Sequence, residues 1–169
     1  KSIDRLIAAF SQVAKDIPEA TLTIAGEGES RQLLEGLTQK LNLNKFVRFV
    51  GRVTEQAKAD LLAKSWLMVQ PSTVEGWGIT VIEANAAGTT VVASDVPGLR
   101  DSVRNPHTGL LVTWDNQEKW QEAISKVIKD ENLRNSLEEQ AKLWSKKFSW
   151  EKSTNQFLSI IKKELQTID

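Results

Sequence analysis

Apolar positions along the chain alternate between helical and strand spacing. Helical spacing comes first, at Ile3, Leu6, Ile7, Phe10 and Val13. Pro18 ends this pattern, because its ring cannot sit in a helix interior. Short runs with strand character then alternate with further helical patterns, and these runs are 21–26, 46–51, 66–70, 90–94 and 109–112.

Strands separated by helices predict a parallel sheet with right-handed crossovers, which places helices on both faces. The predicted fold class is therefore α/β and Rossmann-like. After residue 115 the strands cease, and the apolar positions predict three amphipathic helices, the last from Trp150 to Leu165. Trp120, Trp144 and Trp150 follow this helical spacing and are predicted to pack against neighbouring helices. No linker interrupts residues 1–169, which are predicted to form one domain with 116–169 as its C-terminal helical segment.

Composition excludes several classes of function. The chain is 40% apolar and 26% charged, which is typical of globular domains. Lys and Arg total 22, as do Asp and Glu, so the positive field that binds nucleic acid is missing. No apolar run has the length of a membrane span. The chain has no cysteine and one histidine, which excludes thiolate metal sites and histidine clusters.

The stretch from Pro71 to Gly88 carries the clearest chemical signal. It leaves the carboxyl end of a predicted strand, where open α/β sheets bind ligands, and enters a helix near Ile79. Gly76 and Gly78 allow close approach to a ligand, because glycine has no Cβ. The first amides of the helix have no partner within it, so they are predicted to bind phosphate.

Glu75 and Glu83 flank this predicted anion site. A phosphate repels a carboxylate, so these side chains are better suited to accept hydrogen bonds from sugar or ribose hydroxyls. The combination predicts a sugar nucleotide as the ligand.

The segment EGWGITVIEANAAG, with seven residues between Glu75 and Glu83, resembles the paired-glutamate motif of group 1 (family 4-like) retaining glycosyltransferases. Further similar segments occur in the family's order: LTIAGEG, VRFVGRV, LMVQPS, GTTVVASDVPG, TGLLV and FSW. The resemblance implies the C-terminal, donor-binding half of a GT-B enzyme. It also implies that a second Rossmann-like domain and the first strand of this one lie outside the chain.

The same resemblance implies roles for individual residues. Glu75 would contact the donor sugar, Glu83 would hold the ribose hydroxyls, and Lys1 would neutralise the leaving diphosphate. Ser2 stands where the family usually has glycine. The donor-binding loop would comprise Gly76, Trp77, Gly78, Ile79 and Thr80, with Trp77 in place of the usual phenylalanine. Candidates for the base pocket are Gly26, Gly28, Gly51, Arg52 and Val53.

By this resemblance the reaction is a hexosyl transfer with retained anomeric configuration, through an oxocarbenium-like state. No metal or cofactor is implied, since the nucleoside diphosphate sugar is a substrate. The acceptor would be a carbohydrate or a lipid-linked molecule. The implied location is the cytoplasm, with the other domain as a route to the membrane surface. The isolated fragment would not turn over.

Two other functions remain open from the sequence. A non-catalytic module would bind the sugar nucleotide without transferring the sugar. A dinucleotide-binding domain is disfavoured, because Arg31 replaces the third glycine of the GxGxxG pattern that Gly26 and Gly28 begin. The sheet also leaves a choice. In the usual strand order the strand outside the chain lies between 21–26 and 66–70, so these two either pair directly or leave a slot for another segment.

Overall fold

The computed structural model describes residues 1–166, and its helices and strands alternate as predicted. The strands are β1 (Leu22–Ala25), β2 (Val47–Gly51), β3 (Met68–Gln70), β4 (Val91–Ser94) and β5 (Gly109–Val112). The helices are α1 (Ile3–Asp16), α2 (Arg31–Lys40), α3 (Glu55–Lys64), α4 (Ile79–Ala87), α5 (Pro97–Ser102), α6 (Gln117–Lys129), α7 (Glu131–Ser145) and α8 (Trp150–Gln166).

All strand pairs are parallel, as predicted, but the strands form two sheets rather than one. β1 pairs with β2, and the second sheet has the order β3-β4-β5. Direct pairing of β1 with β3 is therefore wrong. The edge strands β1 and β3 are incompletely buried, whereas the four residues of β4 are fully buried. The division falls where the usual Rossmann order has its central strand.

The core lies on both faces of the second sheet, because successive strand residues point to opposite faces. Val92 of β4 belongs to a cluster with Phe10 of α1 and Ile124 of α6. Its neighbours Val91 and Ala93 belong to a second cluster formed with α4 and α5. This arrangement confirms the prediction of helices on both faces.

The three predicted C-terminal helices are present, but they differ in burial. Trp120 of α6 and Leu137 of α7 are buried in the core. Trp150 at the start of α8 is 88% exposed, and Phe157 and Ile160 of the same helix are also exposed. The prediction that Trp150 packs against neighbouring helices is therefore wrong. Across residues 1–166, no helix combines the length and apolar character needed to cross a membrane.

Candidate functional site

The predicted ligand loop connects β3 to α4 and ends in a sharp backbone turn. Gly78 has φ +80° and directly precedes α4. An added Cβ at this position would lie 2.7 Å from Cδ2 of Leu99 and 3.0 Å from Oγ of Ser102. Both the left-handed conformation and the close packing therefore require glycine here. A Cβ at Gly76 would meet no atom within 4 Å.

The amino end of α4 is open to solvent. Val81 donates its amide to the Gly78 carbonyl at 2.9 Å, while the preceding amides have no helical turn ahead of them to bond. Gly76, Ile79 and Thr80 are exposed, and Ile79 is 63% exposed. Among the described residues no side-chain hydrogen bond caps this helix end, which leaves its positive dipole free for an anion.

Glu75 is held immediately before this helix end. Its Oε2 accepts hydrogen bonds from Lys1 Nζ at 2.6 Å and from Gln70 Nε2 at 2.9 Å. The Lys1 ammonium is the main influence that lowers the pKa of Glu75, with burial acting in the opposite direction and Gln70 adding to the lowering. Glu75 is therefore an ionised carboxylate with a cation beside it.

The lowered pKa of Glu75 predicts a small loss of stability in acid. A carboxyl with a lower pKa in the folded state stabilises the fold above its unfolded pKa, and this contribution disappears as the pH falls through the folded pKa. Lys1 is 63% exposed, so we expect a contribution of at most about 1 kcal/mol. Urea unfolding of wild type and Glu75→Gln should differ most at neutral pH and converge in acid. A constant difference across the titration would contradict this expectation.

Glu83 lies one turn into α4, on the same helix face as Ile79. Its Oε1 is 2.9 Å from Lys58 Nζ, and Lys58 also contacts Oε2 of Glu55 at 2.8 Å. The hydrogen bond to Glu55, followed by that to Glu83, raises the pKa of Lys58. Glu75 and Glu83 thus lie before and after the same open helix end, each paired with a lysine.

The residue after Lys1 has an unusual backbone conformation. Ser2 precedes α1 with φ +53°, in the left-handed region that glycine adopts most easily. Glycine at this position would relieve that restriction. The Nζ of Lys1, the lysine predicted to meet the diphosphate, lies 2.6 Å from Oε2 of Glu75.

The indole of Trp77 packs against Phe148, in the segment between α7 and α8. Its ring is 4.9 Å from the ring of Phe148 in an edge-to-face arrangement, and Phe148 makes the same type of contact with Trp144. Trp144 donates Nε1 to the Ser102 carbonyl at 2.9 Å, which confirms its packing role. In this arrangement Trp77 fixes the loop to the C-terminal helices.

The base-pocket candidates gather at the carboxyl ends of β1 and β2. The Gly26 amide donates to the Gly51 carbonyl at 2.8 Å, and both residues have positive φ. Gly28 accepts a bond from the Arg31 amide at 3.1 Å, and a Cβ on Gly28 would meet nothing within 4 Å. Arg52 and Val53 continue from Gly51 toward α3. The structure brings the two loops together, as the sequence predicts.

Sequence reasoning missed three residues of this region. Gln70 and Lys58 each contact one of the two glutamates. Gly98 lies so close to the loop that an added Cβ would be 2.1 Å from the Glu75 carbonyl oxygen. The only local signal was the Pro-Gly pair at the start of α5, which is also an ordinary turn sequence.

The chain is similar in sequence and structure to known glycosyltransferases. Residues 1–144 match the family described as "Glycosyl transferases group 1". A D-inositol 3-phosphate glycosyltransferase of Rhodococcus erythropolis is 33% identical over 96% of this chain and 38% of its own length. Sucrose-phosphate synthase of Thermosynechococcus elongatus is similar in structure, with a TM-score of 0.89 and 30% identity over 99% of this chain and 43% of that one.

A second similar structure is S. aureus TarM in complex with UDP and carbohydrate ligands. Its TM-score is 0.87, with 25% identity over 94% of this chain and 32% of TarM. This chain therefore spans less than half the length of each of these three proteins.

Proposed function

The chain belongs to the group 1 glycosyltransferase family, and on that basis we propose that it binds a nucleoside diphosphate sugar at the start of α4 and supports retaining transfer of the sugar. One observation carries this proposal. An open helix end with free amides has Glu75 before it and Glu83 one turn after it. Anionic phosphates suit the amides, and hydroxyl groups suit the carboxylates.

In the proposed reaction the diphosphate is the leaving group. The amides of Gly78 and Ile79 and the Lys1 ammonium stabilise the negative charge that grows on it. Each such preorganised donor contributes about 3 to 4 kcal/mol to the transition state. Glu75 contacts the sugar, and its hydrogen bonds from Lys1 and Gln70 fix the carboxylate. The bond between the anomeric carbon and the diphosphate oxygen breaks, and the acceptor oxygen bonds to that carbon on the same face while a diphosphate oxygen takes the proton of the acceptor hydroxyl. The anomeric configuration is therefore retained.

The ribose and the base of the donor bind beyond the diphosphate. Glu83 accepts hydrogen bonds from the ribose hydroxyls, and the base lies by the loops at 26–28 and 51–53. We propose that this chemistry needs no metal ion, because Lys1 and the helix amides supply the positive charge. The acceptor, a carbohydrate or lipid-linked molecule, is bound mainly by an additional domain, corresponding to the part of the longer relatives that this chain does not cover. Residues 1–169 alone would then bind donor weakly and not turn over.

We further propose that the whole enzyme works in the cytoplasm, with the additional domain as its means of approaching a membrane surface. UDP is the first nucleotide to test, since S. aureus TarM, which is similar in structure, was solved with UDP.

Calorimetric titration with UDP-, GDP- and ADP-sugars tests the proposal in the full natural polypeptide. We expect heat of binding from one of the three, and Glu83→Ala should weaken it by about 1 to 3 kcal/mol through lost charged hydrogen bonds. Glu122→Ala, on the outer surface of α6, is the matched control and should bind like wild type. No heat from any donor would refute the proposal, while binding without transfer to any acceptor would favour a non-catalytic module.

A further inference from the structure

We propose that Lys58 is a positioning residue that orients Glu83 toward the two ribose hydroxyls and so makes the site selective for ribonucleotides. This inference rests on the proposed function. Lys58 Nζ lies 2.9 Å from Oε1 of Glu83, although 25 residues separate the two in sequence. The other carboxylate oxygen, Oε2, is buried and has no hydrogen-bond partner among the described residues.

The unpartnered oxygen points to a donor that comes with the ligand. A buried acceptor without a donor loses its hydration and gains nothing in return. Oε2 is closed to solvent in this conformation, so the carboxylate must turn slightly to uncover it, and a ribose hydroxyl then supplies the missing donor. Because Lys58 engages Oε1, we infer that this turn is small and that Oε2 is presented to the hydroxyl in one orientation.

Lys58 is itself held firmly at the start of α3. The Thr54 side chain caps this helix by accepting a hydrogen bond from the Ala57 amide at 3.2 Å. The cap directly follows the base-pocket candidates at 51–53, so Lys58 couples that loop to Glu83. Its side chain is 28% exposed and that of Glu83 is 33% exposed, so solvent screens this pair less than a fully exposed one.

Local charge argues against a direct role of Lys58 in phosphate binding. Its single ammonium contacts two carboxylates, those of Glu55 and Glu83, so the three groups together carry a net negative charge. Such a cluster does not attract a diphosphate. Lys1, by contrast, contacts one carboxylate and lies beside the open end of α4.

The test compares three ligands that differ in their hydroxyl groups. We would measure the affinity of the full natural polypeptide for UDP, for 2′,3′-dideoxy-UDP and for pyrophosphate by calorimetry, with ADP and GDP and their dideoxy forms replacing the uridine pair if UDP does not bind. Lys58→Met should weaken the ribonucleotide about tenfold, which corresponds to about 1.4 kcal/mol. Affinities for the dideoxynucleotide and for pyrophosphate should stay unchanged.

Further variants make the result decisive. Lys64→Met removes an exposed lysine from the other end of α3 and should leave all affinities unchanged. Lys58→Arg should retain part of the selectivity, since it keeps the cation. Glu83→Gln combined with Lys58→Met should be no weaker than Glu83→Gln alone, because Lys58 acts through Glu83. Lys58→Gln replaces Lys58→Met if the latter does not fold.

The possible outcomes separate this inference from the proposed function. Equal weakening of pyrophosphate and ribonucleotide by Lys58→Met would overturn the inference, as would unchanged ribonucleotide affinity while Glu83→Gln is weakened. Wild-type protein that binds none of the three nucleoside diphosphates would overturn the proposed function itself.

Discussion

Glu75→Gln is expected to lower the rate constant of sugar transfer by about 10² to 10³-fold, the size of effect seen when one preorganised group is lost from a charged transition state. Glutamine keeps the shape of the side chain but removes its charge. The Lys1 ammonium, now 2.6 Å from a carboxylate oxygen, would lose its ionic partner, while the Gln70 amide could still donate to the new carbonyl. The loop should therefore keep its backbone conformation but lose the negative charge of Glu75 and its ion pair with Lys1.

Steady-state kinetics with donor and acceptor can separate the two glutamates. Glu75→Gln should reduce kcat far more than it raises KM, because the proposed contact strengthens as the sugar becomes cationic. Glu83→Gln should act mainly on the KM for donor, since the ribose does not change during the reaction. A Glu75→Gln enzyme with wild-type kcat would show that this carboxylate takes no part in the chemistry.

The parts of the site that the sequence predicted are those encoded locally. Gly78 and Ile79 are neighbours in sequence. A glycine followed by a helix pattern places a helix start there, and the first amides of a helix have no partner within it. The alternation of strands and helices was equally readable, since β4 begins with the apolar residues Val91, Val92 and Ala93 and buries residues on both faces. Such features need no knowledge of distant contacts.

Two contacts that the sequence did not predict join distant residues. Lys1 meets Glu75 across 74 positions, and Lys58 meets Glu83 across 25. A lysine on an amphipathic helix is usually a solvated residue, so its spacing alone does not identify a partner. The division into two sheets is also a tertiary property, because strand patterns report burial and not which strands pair.

The environment of Gly98 leads to the second large prediction. Gly98 is buried in the first turn of α5, and a Cβ there would be 2.1 Å from the Glu75 carbonyl oxygen and 2.6 Å from the Gly76 carbonyl carbon. These are backbone atoms, which cannot rotate aside as a flexible side chain can. Gly98→Ala must therefore displace the loop that carries Glu75 or shift α5.

We expect Gly98→Ala to cost about 1 to 3 kcal/mol of unfolding free energy, the usual range for overpacking, and to weaken donor binding about tenfold or more. Gly36→Ala is the matched control. Gly36 lies within α2, and a Cβ on it would meet nothing within 4 Å, so alanine should stabilise that helix slightly. Urea unfolding and donor calorimetry on both variants measure the two effects.

Stability and affinity need not fall together, and their ratio identifies what moves. If α5 shifts, the core contact of Leu99 is disturbed and stability falls while the loop keeps its course. If the loop shifts instead, Glu75 moves relative to Lys1 and Gln70, and affinity for the donor falls more than stability. We expect the second result, because Leu99 is fully buried whereas Gly76 is exposed and a Cβ on it would meet no atom within 4 Å. A Gly98→Ala protein that equals Gly36→Ala in both measurements would contradict the close packing of α5 against the donor loop.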